Sequence, residues 1–187
     1  MPSDGFLIQD AANALSPLIS TTQDLQFPSA DGNCRSCVVE IKGERALAAS
    51  CIRKPSDGME VITNNGKVEK SQKLVLELLL SDQPEKEKSH NQKSHFWEIL
   101  QTNQISKTRF PKKDSKIVPS LDNSHPAMTV ALDACIQCGL CIRACRDVQV
   151  NDVLGMSGRG ASSYPVFDFD DLMGSSSCVG CGECVQA

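Results

Sequence analysis

The chain has 187 residues and a net charge of −4, with 40% apolar and 22% charged residues. This composition is that of an ordinary soluble protein of one or two small domains. The acidic balance provides no basic surface for nucleic acid, and no apolar stretch has the length of a membrane span. The first residues lack the basic start and apolar core of a signal peptide. We therefore expect a cytoplasmic protein that binds neither nucleic acid nor membrane.

Aromatic residues make up only 4% of the chain, whereas the chain contains ten cysteines. So few large side chains predict thin hydrophobic cores, and small domains of that kind usually depend on disulfides or metals. In a reducing cytosol, clustered cysteines are more often metal ligands or redox centres than disulfides. The spacing of the cysteines decides between these roles.

The first cysteines, Cys34, Cys37 and Cys51, surround a predicted β-hairpin. Residues 38–41 predict a strand and residues 42–43 a turn, after which a second apolar run leads to Cys51. A plant-type [2Fe–2S] site has four cysteines, three of them arranged in this way and one further upstream. No cysteine precedes Cys34 in the sequence. These hairpin cysteines therefore predict a [2Fe–2S] site that lacks its first ligand.

The region between the cysteine groups has readable secondary structure. Residues 58–63 predict a strand, 64–66 a turn, and 68–81 an amphipathic, leucine-rich helix that belongs to the core. Between residues 83 and 126 the composition shifts to Lys, Ser, Asn, Gln and Pro, which predicts a linker. One short helix is expected within this linker, at residues 95–102.

The linker also holds the single tryptophan and all of the histidines: Trp97, His90, His95 and His125. A histidine can replace a cysteine on some iron–sulfur clusters, but no cysteine lies near these three in the sequence. We expect capping, packing or exposed positions for the histidines. Trp97 is predicted to be a packing anchor.

The second cysteine group reads C-x2-C-x2-C-x3-C and comprises Cys135, Cys138, Cys141 and Cys145. Three thiolates on a tight loop can bind three corners of a [4Fe–4S] cluster, while the fourth cysteine of such a run ligates a different cluster. The third group repeats the first three positions of this run, at Cys178, Cys181 and Cys184. Two such runs predict two [4Fe–4S] clusters related by approximate internal symmetry.

In this symmetric arrangement the fourth cysteine of one run joins the first three cysteines of the other run, which gives two sets of ligands. The four-cysteine set, which is complete for one cluster, comprises Cys145, Cys178, Cys181 and Cys184. The three-cysteine set comprises Cys135, Cys138 and Cys141, and its fourth ligand is expected one residue beyond Ala187. On this pattern the chain is expected to be truncated at its carboxy terminus.

Zinc is the alternative occupant of these cysteines. Tetrahedral zinc sites favour two separated C-x2-C pairs, in which the additional C-x2-C step of each run has no role. Gly139, Gly180 and Gly182 lie beside the cysteines, where a cluster needs close approach of backbone N–H groups to sulfur. These features favour clusters, with a zinc-stabilised interaction module as the rival interpretation.

Two patterns follow the second cysteine group. Glycines at 155, 158 and 160 predict a turn rather than a nucleotide site. Residues 166–170 alternate apolar and acidic side chains, which predicts a half-exposed strand.

Several stretches of the sequence resemble one protein family. They include DGNCRSCVVEIKGERALAASCIRKPSDGMEV, SQKLVLELLLSDQPE, SHFW and LDACIQCGLCIRACRDVQVNDVLGMSGRG. These stretches are similar to the amino-terminal iron–sulfur region of the large subunit of NAD-dependent, molybdenum-containing formate dehydrogenases. That region is in turn related to the large iron–sulfur subunit of respiratory complex I. The resemblance extends from about Asp31 to Ala187.

The resemblance implies an α+β fold in two parts. A partial plant-type [2Fe–2S] ferredoxin-like (β-grasp) region occupies residues 31–82, and a bacterial 2[4Fe–4S] ferredoxin-like region occupies residues 127–187. The linker 83–126 separates them, and residues 1–30 form an atypical amino-terminal segment.

The resemblance also implies an electron relay without catalytic residues of its own. Formate would be oxidised in a molybdenum-containing catalytic domain, and the clusters of this chain would pass the electrons to a flavin/NAD-binding subunit. The hairpin cysteines would match three ligands of a [2Fe–2S] cluster, and the other seven cysteines would match [4Fe–4S] ligands. The alternative is a fragment that supports formate oxidation only when the catalytic domain is supplied in trans.

Overall fold

The computed structural model describes residues 31–112 and 121–187. The amino-terminal segment 1–30 and the linker stretch 113–120 lie outside the described residues. The described part of the chain forms two compact units, one from residues 31–80 and 93–109 and the other from 81–92, 110–112 and 121–187. Within these residues, every helix is too short or too polar to reach across a bilayer.

The first unit begins with a small antiparallel sheet. Its central strand β1 (Val38–Ile41) pairs with β2 (Ala48–Ala49) on one side and with β3 (Val61–Ile62) on the other. β-Branched residues favour this extended backbone, and the turn between β1 and β2 contains Gly43 in the left-handed region, with φ +88°. The predicted hairpin is confirmed, whereas the strand expected at 58–63 is only two residues long.

Helix α1 (Gly66–Ser81) packs on this sheet. Val68 is fully buried, and the Gln72 side chain donates a hydrogen bond of 3.2 Å to the Val38 carbonyl of β1. Asn65 caps the helix, because its Oδ1 accepts hydrogen bonds from the backbone N–H groups of Lys67 (3.0 Å) and Val68 (2.9 Å). The helix predicted at 68–81 is confirmed and begins two residues earlier.

Replacing Asn65 by alanine is expected to lower the free energy of unfolding by about 1 kcal/mol, because two amide groups of the first turn lose their acceptor. Urea unfolding monitored by tryptophan fluorescence measures this change. The matched control is N64A, which alters the neighbouring exposed asparagine. A loss no greater in N65A than in N64A would show that the cap contributes nothing.

Helix α2 (His95–Thr102) completes the first unit. Leu76, Trp97 and Leu100 form a buried cluster between α1 and α2. Arg109 adds a bidentate ion pair to Glu77, at 2.6 and 2.9 Å, and its hydrogen bond holds the pKa of that carboxyl below its usual range. Both predictions for this segment, the short helix and the packing role of Trp97, are confirmed.

The second unit contains short elements around the remaining cysteines. They are α3 (Leu140–Arg143), the π-helical turn Ala144–Val148, β4 (Leu154–Ser157), β5 (Tyr164–Phe167) and α4 (Glu183–Gln186). Strands β4 and β5 form an antiparallel pair. The core of this unit consists of Cys145, Val153, Leu154, Phe167 and Met173.

The strand predicted at residues 166–170 was wrong in its position, because β5 ends at Phe167. Asp168 and Asp170 have left-handed backbones, with φ +47° and +77°, and Phe169 between them is 98% exposed. Asp168 is held by the N–H and hydroxyl groups of Ser177, at 2.6 and 2.8 Å. Aspartate tolerates this conformation because its carboxylate hydrogen-bonds locally.

The turn predicted from the glycines is present in part. Gly158 and Gly160 have positive φ values of +76° and +56° and lie between β4 and β5. A Cβ atom at Gly158 would clash with the Ser162 carbonyl oxygen, so only glycine fits there. Gly155, in contrast, belongs to strand β4.

Candidate metal centres

The hairpin brings two of its cysteines together. The register of β1 with β2 places Val38 opposite Ala49, so Cys37 and Cys51 are at the same end of the pair. The Ser50 N–H donates a hydrogen bond of 3.2 Å to the Cys37 carbonyl. Cys37 and Cys51 are both buried. Cys34 lies three residues before Cys37 and is half-buried, with its sulfur 3.1 Å from the hydroxyl of Ser36.

The environment of Cys37 favours its thiolate. A hydrogen bond from the Cys51 thiol, helped by Ser50, lowers the pKa of Cys37 from 9.0 to about 6, although burial acts in the opposite direction. The thiolate is the form of cysteine that binds metals. Hydrogen bonds within the hairpin therefore favour the metal-binding thiolate form of Cys37, and no neighbouring cation is needed.

This thiolate makes the metal-free protein sensitive to pH. The pKa of Cys37 is about 6 in the folded state, below the unfolded value of about 8.5. Its stabilising contribution is therefore complete above the unfolded pKa and is lost as the pH falls towards 6. We expect urea unfolding of the reduced, metal-free protein to show decreasing stability from pH 9 to pH 6.

Removing the Cys51 donor should weaken this dependence on pH, whereas C34A should retain it. The comparison uses the same urea unfolding series for the wild-type protein, C51A and C34A. An unchanged slope in C51A would contradict the role of the Cys51 thiol.

Two members of the three-cysteine set, Cys135 and Cys138, lie on the loop before α3, and Cys141 lies in α3 itself. Cys135 follows the 3₁₀ turn Leu132–Ala134, and the N–H of Gln137 donates to the Cys135 sulfur at 3.4 Å. Gln137 and Gly139 have positive φ values of +56° and +73°. This backbone turns sharply and directs N–H groups towards sulfur, an arrangement that stabilises negative charge at a cluster.

The thiols of this set are close enough to influence one another. Burial raises the pKa of Cys141 to about 12, and the nearby sulfurs of Cys138, Cys135 and Cys184 raise it as well. Such a group releases its proton readily only when cations compensate the negative charge.

Three members of the four-cysteine set belong to or contact the core of the second unit. Cys145 lies on the π-helical turn and is buried, and Cys178 and Cys184 pack against the same core. Burial raises the pKa of Cys184, as do the neighbouring sulfurs of Cys178, Cys181 and, more weakly, Cys145. These sulfurs are therefore neighbours, although Cys181 itself is exposed.

The two cysteine runs have the same backbone geometry. The N–H of Gly180 donates to the Cys178 sulfur at 3.4 Å, as that of Gln137 does to Cys135. Gly180 and Gly182 have φ values of +66° and +82°, close to those of Gln137 and Gly139, and Gly182 directly precedes α4 as Gly139 directly precedes α3. The two runs thus share their local backbone geometry, whereas the two symmetry-related clusters remain a prediction.

These cysteines fit an iron–sulfur cluster chemically. All ten cysteines lie in the described residues and none forms a disulfide, several are buried, and N–H groups point at two of the sulfurs. Among residues 31–112 and 121–187, no group of three or more His, Cys, Asp or Glu side chains is arranged to hold a metal ion. A [4Fe–4S] cluster takes one thiolate at each of its four irons.

The histidines have partners within the protein. His90 lies 3.6 Å from the Asp133 carboxylate, His95 lies 3.4 Å from the Glu98 carboxylate, and both are exposed. His125 Nδ1 accepts a hydrogen bond of 3.2 Å from the Ala127 N–H. These are the hydrogen-bonded and exposed positions that we expected.

Two residues near the cysteines were missed by sequence reasoning. Gln137 takes the position that Gly180 holds in the third group, so an alignment of the two runs would have identified it. The burial of Arg143, of which only 2% is exposed, has no signal in the local sequence.

Residues 5–66 match the family described as a 2Fe-2S iron-sulfur cluster binding domain. The NADP-reducing hydrogenase subunit HndD of Solidesulfovibrio fructosivorans is 33% identical over 97% of this chain and 32% of its own length. Two relatives are each 29% identical: an NADH-quinone oxidoreductase subunit of Rhizobium meliloti, over 82% of this chain, and the putative formate dehydrogenase SH0748 of Staphylococcus haemolyticus, over 81%.

The chain is thus similar in sequence to part of such oxidoreductase subunits. The resemblance inferred from the sequence is therefore confirmed. The chain spans about a third of the hydrogenase subunit, 18% of the quinone oxidoreductase subunit and 15% of the putative formate dehydrogenase. The matched 2Fe-2S range begins within the segment 1–30, which lies outside the described residues.

One solved structure shows the same fold. A chain in the crystal structure of an NAD⁺-reducing [NiFe]-hydrogenase in the H₂-reduced state superposes with a TM-score of 0.78 at 22% identity, covering 94% of this chain and 74% of that one. The mixed α/β fold with a 2Fe-2S binding region is thus confirmed. The second, [4Fe–4S] ferredoxin-like region is a prediction based on its cysteines.

Proposed function

We propose that this chain is an electron-transfer module that carries two [4Fe–4S] clusters and a [2Fe–2S] cluster within an NAD(P)-linked oxidoreductase. The observation that carries the proposal is the repeated geometry of the two cysteine runs, each with an N–H directed at its first sulfur. Bound clusters would supply reversible one-electron oxidation and reduction. Homology to iron–sulfur subunits of NAD(P)-linked oxidoreductases supports the same function.

The residues of the chain would perform distinct tasks. The four-cysteine set would ligate one [4Fe–4S] cluster, the three-cysteine set would supply three ligands to the other, and the hairpin cysteines would supply three to the [2Fe–2S] cluster. The N–H groups of Gln137 and Gly180 would stabilise charge on ligand sulfur. The buried side chain of Leu140 and its half-buried neighbour Ile142 would exclude water.

We further propose that the electrons come from formate. In this scheme a molybdenum-containing catalytic domain oxidises formate, and a flavin/NAD-binding subunit receives the electrons. The resemblance of the sequence to NAD-dependent formate dehydrogenases supports this choice, as does the relative named as a putative formate dehydrogenase. The hydrogenase relative makes hydrogen the competing source of electrons.

Reversible reduction tests the electron-carrier function. The protein is reconstituted anaerobically with iron and sulfide, reduced with dithionite, and then mixed with oxidised flavin. We expect visible absorbance that bleaches on reduction and recovers on oxidation over repeated cycles. A reconstituted protein without a reducible chromophore would overturn the proposal. A second experiment distinguishes the two electron sources by supplying either formate with a formate-oxidising molybdenum protein or hydrogen with a hydrogenase. If the further proposal holds, the formate system should bleach the absorbance and the hydrogen system should not.

A further inference from the structure

Arg143 is a buried cation beside the cysteines. It is the least exposed charged residue in the described part of the chain, with 2% of its surface accessible. It lies on α3 between Cys141 and Cys145, and its Nη1 donates a hydrogen bond of 3.1 Å to the carbonyl of Cys138. The guanidinium is therefore anchored to the loop that carries the three-cysteine set.

A buried guanidinium requires compensation. Arginine stays protonated in proteins, and moving its charge out of water is costly unless anions lie nearby. Cysteine thiolates that ligate iron are such anions. A charge at this position also interacts strongly, because the low dielectric of the interior screens it less than water does.

We propose that Arg143 is a positioning residue that fixes the Cys138 peptide and raises the reduction potential of the cluster on the three-cysteine set. The inference rests on the proposed function, since it requires a cluster there. Reduction adds one negative charge to the cluster. A fixed cation nearby stabilises the reduced form more than the oxidised form, so the potential rises.

Redox titration monitored by EPR tests this role. The variants are R143Q, which removes the charge, and R143K, which keeps the charge but loses the planar fork. R146Q is the matched control, because Arg146 is exposed and pairs with Asp147 at 2.7 Å. Iron and sulfide content is measured for each protein, so that cluster binding and potential are separated.

We expect R143Q to lower the ratio of reduced to oxidised cluster at a fixed potential at least tenfold, which corresponds to about 59 mV for one electron. R143K should change the ratio less than tenfold, and R146Q should not change it. The cluster on the four-cysteine set should shift less than that on the three-cysteine set.

An R143Q protein with full iron content and an unchanged potential would overturn the inference. If R143Q retains no iron, R143K provides the test. The inference requires that R143K bind iron and have a reduction potential close to that of the wild-type protein. Loss of iron in R143K as well would assign Arg143 to packing alone. A wild-type protein that binds no cluster would instead refute the proposed function.

Discussion

Replacing Cys145 by alanine is expected to lower the iron content of the reconstituted protein by up to about four irons per chain, the content of one [4Fe–4S] cluster. Cys145 belongs to the second cysteine run by sequence, and it is buried in a core that Cys178 and Cys184 of the third run and Cys141 of its own run pack against. On the crossed assignment, C145A should match C181A, a variant of the third run. Iron and acid-labile sulfide analysis measures the loss. The control is S175A, which alters an exposed serine three residues before Cys178.

Double variants show whether Cys145 ligates the cluster of the third run, as the crossed assignment predicts, or the cluster of its own run. If Cys145 and Cys181 serve one cluster, C145A/C181A should lose no more iron than either single variant. C145A/C138A should lose more iron than either single variant, because it removes a ligand from both [4Fe–4S] sites. Additive loss in C145A/C181A and no further loss in C145A/C138A would place Cys145 on the same cluster as Cys138.

Replacing Leu100 by alanine is expected to lower the free energy of unfolding of the first unit by about 2–5 kcal/mol. Leu100 is 2% exposed and packs with Trp97 and Leu76, so the shorter side chain leaves a cavity between α1 and α2. Urea unfolding followed by the fluorescence of Trp97, the only tryptophan, reports on this unit. The matched control is L78A on α1, where the leucine is 47% exposed. Equal losses in L100A and L78A would contradict the importance of this core.

Local signals predicted most of the first unit. The β-branched residues of β1 and the leucine spacing of α1 have periods of two and 3.6 residues, which are properties of the chain itself. The cysteine spacing predicted the similar backbone of the two runs, because the cysteines of each run lie within one short segment of the chain. These predictions required no knowledge of contacts between distant residues.

The second unit was harder to predict because distant contacts determine its backbone. Residues 166–170 alternate like a strand, yet β5 ends at Phe167, and Ser177 holds Asp168 in a left-handed conformation. The carboxylate of Asp122 similarly accepts a hydrogen bond of 2.7 Å from the Met173 N–H. The partners in each contact are distant in sequence, so the periodicity of the local sequence does not reveal either contact.

The burial of Arg143 illustrates the same limit. Arginine usually lies on the surface, so a sequence pattern assigns it to solvent. Its position became evident only from the packing of α3 and from the hydrogen bond to Cys138.

Metal analysis combined with EPR of the anaerobically purified protein tests the central claim, that these cysteines bind iron–sulfur clusters, most directly. The proposed sites predict iron and acid-labile sulfide in equal amounts and a [4Fe–4S] signal that appears on reduction with dithionite. Stoichiometric zinc with neither sulfide nor a reducible centre would contradict the claim and favour a zinc-stabilised interaction module.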